Sequence, residues 1–264
     1  MKHNKFEYVK KVVETGIHVL LTGAAGTGKT TIAKQVAEAM GVPFYALSLT
    51  KQTSVNAIIG FMNVQSVYTP TQFRQAFEHG GVFLLDELDA GDANVLLTLN
   101  TIENGYVAFP DKIVQMHENF RLIATANPQD QHNIYTGRSK LDFSTMDRFF
   151  EVELERDPGL EASLTDEDTV ASVELARRIL RDNGSSRAVT MRDAIRVYQL
   201  RKHHLDDSPV KSVVFKGDAT LLKIYENEVE KYEKELAEAR RKANMTQADA
   251  RDIHELFNLV QEGK

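Results

Sequence analysis

The chain has 264 residues, 42% of them apolar, which exceeds one typical domain of about 100–150 residues and suffices for a proper core. Its formal net charge of -6 disfavours a protein that coats nucleic acid non-specifically, although a local basic face is compatible with it. The lack of cysteine excludes a disulfide framework and a thiolate metal site. The polar start and the lack of an apolar run near ~18–20 residues predict no signal peptide, no membrane span and a soluble cytoplasmic protein.

The amino-terminal part alternates predicted helices and strands. Apolar residues at helical spacing predict a short helix over Phe6–Glu14. A strand is predicted over Ile17–Leu21, a helix over Thr31–Met40 and a second strand over Phe44–Leu49. This strand–helix–strand order is typical of a parallel sheet.

The loop between the first strand and its helix has the spacing of a phosphate-binding loop. Its backbone N–H groups and the N-terminus of the following helix form an anion site. We expect Lys29 to reach the β- and γ-phosphates and the Thr30 hydroxyl to bind a bridging Mg²⁺. A ligand-free glycine turn is disfavoured, because the strand and helix flank the loop as the motif requires. The predicted nucleotide-binding residues are Gly23, Ala24, Ala25, Gly26, Thr27, Gly28, Lys29, Thr30 and Thr31.

The next segment is less regular. A brief helix is predicted over Ser54–Ile59, and the apolar residues at 61–64 are predicted to lie in a loop. Thr71–His79 has the pattern of an amphipathic helix that Gly80 and Gly81 close.

Two acidic residues follow the third predicted strand, Val82–Leu85. In open α/β sheets ligands bind beyond the carboxyl ends of the strands, where Asp86 and Glu87 would face the phosphates. Asp86 suits a magnesium partner, and Glu87 suits polarising the attacking water. A solvated acidic turn is the alternative interpretation.

A helix over Asn94–Glu103 and a hairpin follow. The strands of the hairpin are predicted at Tyr106–Phe109 and Ile113–Met116, with Lys112 at the tip. Another buried strand, Arg121–Ala126, ends at Asn127. Asn127 either hydrogen-bonds the γ-phosphate or the attacking water, or simply ends the strand as a turn former.

A short helix and a last strand are predicted within 137–154, where Arg138 and Arg148 offer guanidinium groups that match phosphate oxygens. The sequence Asp157-Pro158-Gly159 then marks a domain boundary.

Helices dominate the carboxyl-terminal part. They are predicted over Val170–Asp182 and Thr190–His203, in a locally basic region that is either a solvated face or a nucleic-acid contact. A heptad pattern from Leu221 predicts a long helix that docks on the chain's own body or forms a coiled coil, and a final helix is predicted over Asp249–Val260.

The order of these motifs resembles that of the AAA+ ATPases, most closely the dynein-related branch that includes MoxR, CobS and McrB. The resemblance covers about residues 16 to 200 and is carried by GAAGTGKT (23–30), GGVFLLDELDAGDANVLLTLN (80–100), HENFRLIATANP (117–128), GRSKLDFSTMDRF (137–149) and TMRDA (190–194).

The resemblance implies a role for each motif. It makes the loop at 23–30 the Walker A loop, and Asp86 and Glu87 the Walker B pair. Asn127 would be the first sensor and Arg192 the second, and Arg148 would be the arginine finger offered to a neighbouring subunit, with Arg138 a second intersubunit candidate. By position, Phe61, Met62 and Lys112 would approach a central channel.

The fold class implied is α/β: a P-loop NTPase (AAA+) parallel sheet flanked by helices, with a small C-terminal helical lid domain. Residues 1–156 would form the nucleotide-binding domain with its hairpin insert, and residues 157–264 the helical lid and tail. The expected ligands are ATP and Mg²⁺.

The first functional hypothesis is a ring-forming ATPase, a homo-hexamer, that remodels or matures a separate partner protein as MoxR and CobS relatives do. The alternative is a nucleic-acid-stimulated motor or a restriction-type translocase subunit, as in McrB. A GTPase is disfavoured, because the sequence Asn-Lys occurs only at Asn4-Lys5, before the loop. A P-loop kinase would not need the Asp86–Glu87 pair with intersubunit arginines, and a non-enzymatic scaffold remains the last alternative.

Overall fold

The structure, a computed structural model, describes residues 1–92, 95–96, 101–128, 141 and 143–242. The strands are β1 (Val19–Thr22), β2 (Phe44–Ser48), β3 (Phe61–Met62), β4 (Tyr68–Thr69), β5 (Gly81–Asp86), β6 (Tyr106–Ala108), β7 (Ile113–Gln115), β8 (Phe120–Ala126) and β9 (Phe150–Glu153). The helices are α1 (Phe6–Glu14), α2 (Lys29–Met40), α3 (Asn56–Ile59), α4 (Gln72–His79), α5 (Phe143–Met146), α6 (Pro158–Leu164), α7 (Glu167–Asp182), α8 (Met191–Lys202), α9 (Pro209–Val213) and α10 (Ala219–Lys242).

Five parallel strands form the central sheet, in the spatial order β2-β5-β8-β1-β9. The predicted parallel sheet flanked by helices is thereby confirmed. Strand β8 lies between β5 and β1, although both precede it in the chain. The carboxyl ends of these three strands therefore meet at one edge of the sheet, which is where ligands bind in open α/β sheets.

Both faces of the three central strands, β5, β8 and β1, are buried, and their side chains alternate between the two faces. Leu21 and Ile123 pack with α1 and α2 on one face. On the opposite face Leu20 and Phe83 pack with Phe73 of α4. Because both faces need apolar cover, the strands have the continuous apolar sequences from which they were predicted. Helix α2, which follows the glycine-rich loop, packs against β5 and α1 on the face of Leu21 and Ile123.

Two antiparallel hairpins accompany the sheet. Strands β6 and β7 form the predicted one, in which Phe109 N–H donates to the carbonyl of Lys112 across the turn. The predicted loop at 61–64 is wrong in part, because Phe61 and Met62 form β3 and pair with β4. The Asn63 side chain closes this second turn by accepting the N–H groups of Gln65 and Val67.

A buried arginine of α4 contacts both hairpins. The Arg74 guanidinium donates to Asp111 at 2.9 Å and to Glu78 at 2.6 Å, and it lies over the rings of Tyr68 and Phe109. Burial lowers the pKa of Arg74, but its bonds to the two carboxylates more than offset this and raise it. The hydrogen bonds from Arg74, and then from Lys112, lower the pKa of Glu78 to about 2. Arg74 thus remains charged and holds the two hairpins to α4.

The described part of the chain divides into two compact units. The first comprises Met1–Asp166 with Thr190–Ile195, and the second comprises Glu167–Val189 with the chain from Arg196 onward. The first unit contains the sheet and extends past the boundary predicted after Arg156. Where the functional boundary between a nucleotide-binding domain and a lid lies stays a prediction.

Helix α6 illustrates how a break in the sequence pattern can start an element. Asp157 is its N-cap and accepts the N–H of Leu160 at 2.9 Å, while Pro158 occupies the first turn. The other oxygen of Asp157 accepts the N–H of Asn4 at 2.7 Å. The residues that predicted a boundary therefore cap a helix and anchor the amino-terminal segment.

The described secondary structure of the second unit is helical, as the sequence predicts. Within this unit the ring of Phe215 packs against that of Tyr225 of α10, with ring centroids 5.1 Å apart. None of the described helices has both the length and the apolarity needed to cross a membrane. The predicted helix at 249–260 and half of the one predicted at 94–103, residues 94 and 97–100, lie outside the described residues.

Candidate nucleotide-binding site

The glycine-rich loop connects the carboxyl end of β1 to the first residue of α2, Lys29. Gly23 adopts a positive φ of 150°, and a Cβ there would lie 2.3 Å from the carbonyl oxygen of Leu154. No side chain fits in this space, so the first position of the loop requires glycine. The loop consequently lies against the end of β9, with its N–H groups and the N-terminus of α2 available to phosphates.

The side chain of Lys29 folds back into the glycine-rich loop that precedes it. Its ammonium group donates to the carbonyls of Gly23 at 2.6 Å and Ala24 at 3.0 Å. It also lies 3.4 Å from Oδ1 of Asn127, at the end of β8. The structure therefore brings the predicted phosphate-binding lysine and the predicted first sensor to one place.

The two predicted magnesium residues are in direct contact. The Thr30 hydroxyl donates to Oδ2 of Asp86 at 3.1 Å. A hydroxyl and a carboxylate fit Mg²⁺, which is commonly held by one or two protein oxygens together with substrate phosphates. Among the described residues, no cluster of three or more His, Cys, Asp or Glu side chains could hold a metal by itself.

Glu87 follows β5 in a left-handed conformation, with φ 61° and ψ 49°. This region is uncommon for a residue with a side chain, and such residues concentrate at functional sites. The N–H of Glu87 donates to Oγ1 of Thr125 at 3.0 Å, which anchors the backbone where the chain leaves the strand.

The turn that carries Arg192 lies beside the phosphate loop. A Cβ on Gly26 would lie 3.0 Å from Cβ of Thr190 and 3.6 Å from Cβ of Arg192. The hydroxyl of Thr190 donates to Asp193 and accepts the N–H of Asp193 in return, which caps the start of α8. The loop and the predicted second sensor are therefore neighbours within the first compact unit.

Arg148 lies at the other end of the sheet. It precedes β9 by two residues, and β9 pairs with β1 so that Phe150 is opposite Val19 and Glu153 is opposite Thr22. The loop follows Thr22, so the length of a four-residue strand, about 13 Å, lies between the backbone of Arg148 and the start of the loop. Arg148 is instead 3.5 Å from Glu103, measured from Nε to Oε2.

A cavity of about 200 Å³ borders Asn127, and its lining includes Thr22, Glu151 and Glu153. The Thr22 hydroxyl donates to Glu151 at 2.8 Å. Leu20 and Ala126 also line this cavity, so it lies on the face that packs with α4, opposite α2.

Of the predicted site residues, the phosphate loop, Asp86 and Asn127 lie together at the carboxyl ends of the strands. Arg148 lies at the opposite, amino end of β9. Arg138 lies outside the described residues. Sequence reasoning missed Thr125, whose hydroxyl contacts the Asp86–Glu87 pair directly. A lone threonine among the apolar residues of a predicted buried strand was the signal that could have identified it.

This combination of a parallel sheet, a glycine-rich loop that opens a helix, and acidic and amide residues at the adjacent strand ends defines a P-loop nucleoside-triphosphate-binding domain. A sequence model of the AAA domain, dynein-related subfamily, matches residues 18–149. The chain belongs to this family of AAA-type, ATP-binding ATPases.

Similar regions occur in much longer proteins. The chain is 26% identical to midasin of Giardia intestinalis over 154 residues and 29% identical to midasin of Dictyostelium discoideum over 149 residues. These matches cover 55% and 52% of this chain but only 3% and 2% of the midasins. An uncharacterized protein of Staphylococcus epidermidis, 21% identical over 207 residues, matches 72% of this chain and 76% of its own length.

Among solved structures, NtrX from Brucella abortus matches with a TM-score of 0.50 and 19% identity, over 82% of this chain and 51% of that one. This likeness bears on the fold alone.

Proposed function

We propose that the chain is a subunit of a ring-forming, magnesium-dependent ATPase that couples ATP hydrolysis to the remodelling or maturation of a separate partner protein. The observation that carries the proposal is a separation along the strands. Lys29, Asp86 and Asn127 converge at the carboxyl ends of the strands, whereas Arg148 lies at the amino end of β9. The first group suits the binding and hydrolysis of a triphosphate, and the separation suits completion of the site by a second chain.

Each group has a definite task in this chemistry. The loop N–H groups and Lys29 bind the phosphates, and Asn127 lies where its amide can hydrogen-bond the γ-phosphate or the water that attacks it. Thr30 and Asp86 would hold Mg²⁺, which neutralises charge on the phosphate oxygens when bound. Glu87 polarises the attacking water, whose oxygen bonds to the γ-phosphorus as the bond to ADP breaks.

The position of Arg148 favours assembly. Because Arg148 precedes the first residue of β9 and Lys29 follows the last residue of β1, the strand length keeps its guanidinium from the phosphates of its own chain. In a ring, the same guanidinium would face the nucleotide of the adjacent subunit and stabilise charge that develops in the transition state. Hydrolysis would then depend on ring formation, and a homo-hexamer is the stoichiometry that the family resemblance favours.

Three arginines of the second unit donate hydrogen bonds within that unit, and this favours a separate partner protein over nucleic acid. Arg177 donates to the carbonyl of Val189 at 3.1 Å, and Arg187 donates to the carbonyl of Val213 at 2.5 Å. Arg201 donates to the hydroxyl of Thr169 at 3.2 Å. These guanidinium groups stabilise the second unit itself, which weakens the alternative of a nucleic-acid-stimulated motor.

The central experiment measures phosphate release against chain concentration, with ATP and Mg²⁺ saturating. We expect activity per chain to rise with concentration, because the site is completed between chains. Glu87→Gln should bind nucleotide as the unmodified chain does and should not release phosphate. Equal activity per chain in dilute monomeric protein and in concentrated protein would contradict ring-dependent hydrolysis.

The same assay separates the two classes of partner. Single-stranded or duplex DNA is added in one arm, and proteins recovered with the nucleotide-trapped Glu87→Gln variant are added in the other. Stimulation by the recovered proteins alone supports remodelling of a protein. Stimulation by DNA alone overturns it in favour of the nucleic-acid motor.

A further inference from the structure

A buried hydroxyl lies directly behind the acidic pair. Thr125 is 1% exposed and stands between Ala124 and Ala126 in β8. Its side chain alternates with that of Ala124, so it shares with Ile123 the face of the sheet that packs against α2. Since burial of an unbonded hydroxyl is unfavourable, the hydrogen-bond partners of this group indicate its role.

The Thr125 hydroxyl makes two hydrogen bonds whose directions are fixed by chemistry. Its oxygen accepts the N–H of Glu87 at 3.0 Å, since a backbone N–H only donates. Its proton is donated to Oδ1 of Asp86 at 2.5 Å, since an ionised carboxylate only accepts. One side chain therefore bonds to both consecutive acidic residues.

The two oxygens of the Asp86 carboxylate accept hydrogen bonds from two different threonines. Thr125 holds Oδ1, and Thr30 donates to Oδ2. Thr30 belongs to the predicted phosphate loop, so Oδ2 lies on the side of that loop and Oδ1 lies on the side of β8. Thr125 thereby orients the carboxylate without occupying the oxygen that is available to a metal.

The second bond acts on the backbone of Glu87. This residue has the left-handed conformation described above, which is strained for a residue with a side chain and persists only where the surroundings enforce it. A hydrogen bond from its N–H to a hydroxyl fixed in a central strand supplies such a restraint. The direction in which the Glu87 side chain leaves the backbone consequently depends on Thr125.

We propose that Thr125 is a positioning residue of the hydrolytic site, which orients Asp86 toward the metal and Glu87 toward the attacking water through one shared hydroxyl. The proposal rests on the proposed ATPase function. It adds that the two acidic residues are set jointly from β8, the strand that also ends in Asn127.

The test compares three variants by two readouts. Thr125→Val keeps the shape of the side chain and removes the hydroxyl, whereas Thr125→Ser keeps the hydroxyl. Thr169→Val is the matched control, because Thr169 is also fully buried and hydrogen-bonded, to Arg201 in the second unit. The readouts are kcat and KM for ATP, and the Mg²⁺ concentration that half-saturates the binding of a fluorescent ATP analogue.

Mutation of a residue that hydrogen-bonds to a metal ligand typically lowers activity or metal affinity by about 10–100-fold. We accordingly expect Thr125→Val to lower kcat about 10–100-fold and to raise the half-saturating Mg²⁺ concentration about tenfold. Affinity for the analogue without Mg²⁺ should stay within about twofold, since the phosphate loop is unchanged. Thr125→Ser should recover most of kcat, and Thr169→Val should match the unmodified chain in both readouts.

Unchanged kcat and Mg²⁺ dependence in Thr125→Val would overturn the proposal, and so would equal losses in Thr125→Ser. If Thr125→Val does not fold, Thr125→Cys replaces it, because a thiol is only a weak donor and acceptor. If the unmodified chain hydrolyses no ATP at any concentration, the proposed function fails. The Mg²⁺ dependence of analogue binding would still decide the role of Thr125.

Discussion

Nε of Arg148 lies 3.5 Å from Oε2 of Glu103, and another guanidinium nitrogen of Arg148 donates to the carbonyl of Ser144. Glu103 belongs to a short 3-10 turn directly before β6, so this ion pair joins the start of the insert hairpin to the residue just ahead of β9. Within a single chain, Arg148 therefore already has partners. A role across a subunit interface requires the guanidinium to exchange them for a phosphate.

The first prediction concerns Arg148. We expect Arg148→Ala to bind ATP normally and to lose phosphate release by about 10³-fold or more, because an arginine supplied by a neighbouring chain contributes about 10³–10⁵ in related phosphoryl-transfer sites. The measurement is steady-state phosphate release at saturating ATP and high chain concentration, with nucleotide binding followed separately.

Glu103→Gln is the matched control, because it removes the ion pair and keeps the arginine. Half of the Glu103 side chain is exposed, and such a pair contributes at most about 1 kcal/mol. Phosphate release should therefore stay within about fivefold of the unmodified chain. A loss as large as that of Arg148→Ala would mean that Arg148 acts through Glu103 in its own chain, contrary to the intersubunit role.

The second prediction concerns Asn127, whose Oδ1 is 3.4 Å from the ammonium of Lys29. Asn127→Ala should lower kcat by about 10²-fold, which is the typical effect of removing one preorganised hydrogen-bond donor. KM for ATP should change little, because the loop supplies most phosphate contacts. Initial rates over a range of ATP concentrations test this, and a raised KM with unchanged kcat would assign Asn127 to substrate binding alone.

The third prediction concerns the contact between the phosphate loop and the start of α8. Gly26 has φ of 80°, and a Cβ there would lie 3.0 Å from Cβ of Thr190. Gly26→Ala should weaken ATP binding about tenfold or more, because about 1–2 kcal/mol of backbone strain acts within the anion site and the turn must shift. Titration with a fluorescent ATP analogue measures the effect.

Gly105→Ala is the control that distinguishes backbone strain in general from strain within the phosphate loop. Gly105 has a similar φ of 75°, and a Cβ there would meet nothing within 4 Å. It should lower the free energy of unfolding by about 1–2 kcal/mol and leave ATP affinity unchanged. Equal affinity in both variants would show that the loop tolerates the contact with Thr190.

The fourth prediction concerns the pH dependence of stability. Hydrogen bonds from Arg74 and Lys112 lower the pKa of Glu78 from 4.5 to about 2. A carboxyl group whose pKa falls on folding stabilises the native state fully above its unfolded pKa, and this contribution is lost as the pH drops toward the folded one. The free energy of unfolding should therefore decline between about pH 4.5 and pH 2 in part through Glu78.

Urea unfolding of the unmodified chain and of Glu78→Gln over this pH range tests the effect. The variant should be less stable at pH 6 and should lose less stability on acidification. Glu118→Gln, which changes an exposed carboxylate, should follow the unmodified chain. Parallel pH profiles for Glu78→Gln and the unmodified chain would contradict the role of the Arg74–Glu78 pair.

The sequence by itself determined the elements that have a strong local pattern. Continuous apolar runs marked the buried strands, and the loop at 23–30 marked the phosphate site, because both patterns follow from the geometry of short segments. The same locality explains the part that was missed. Phe61 and Met62 form β3 because the Asn63 side chain closes a turn, and two-residue strands have too little periodicity to be predicted.

Only the tertiary structure decided which distant residues meet. The insertion of β8 between β5 and β1 places Thr125 behind Asp86, and the pairing of β9 with β1 places Arg148 at the far end of the sheet from Lys29. The physical reason is that the alternation of a buried strand reveals its burial but not its neighbours, which are chosen by packing across the whole sheet. A threonine in an apolar strand therefore marks an unusual position in the sequence, but only the tertiary structure identifies its partners.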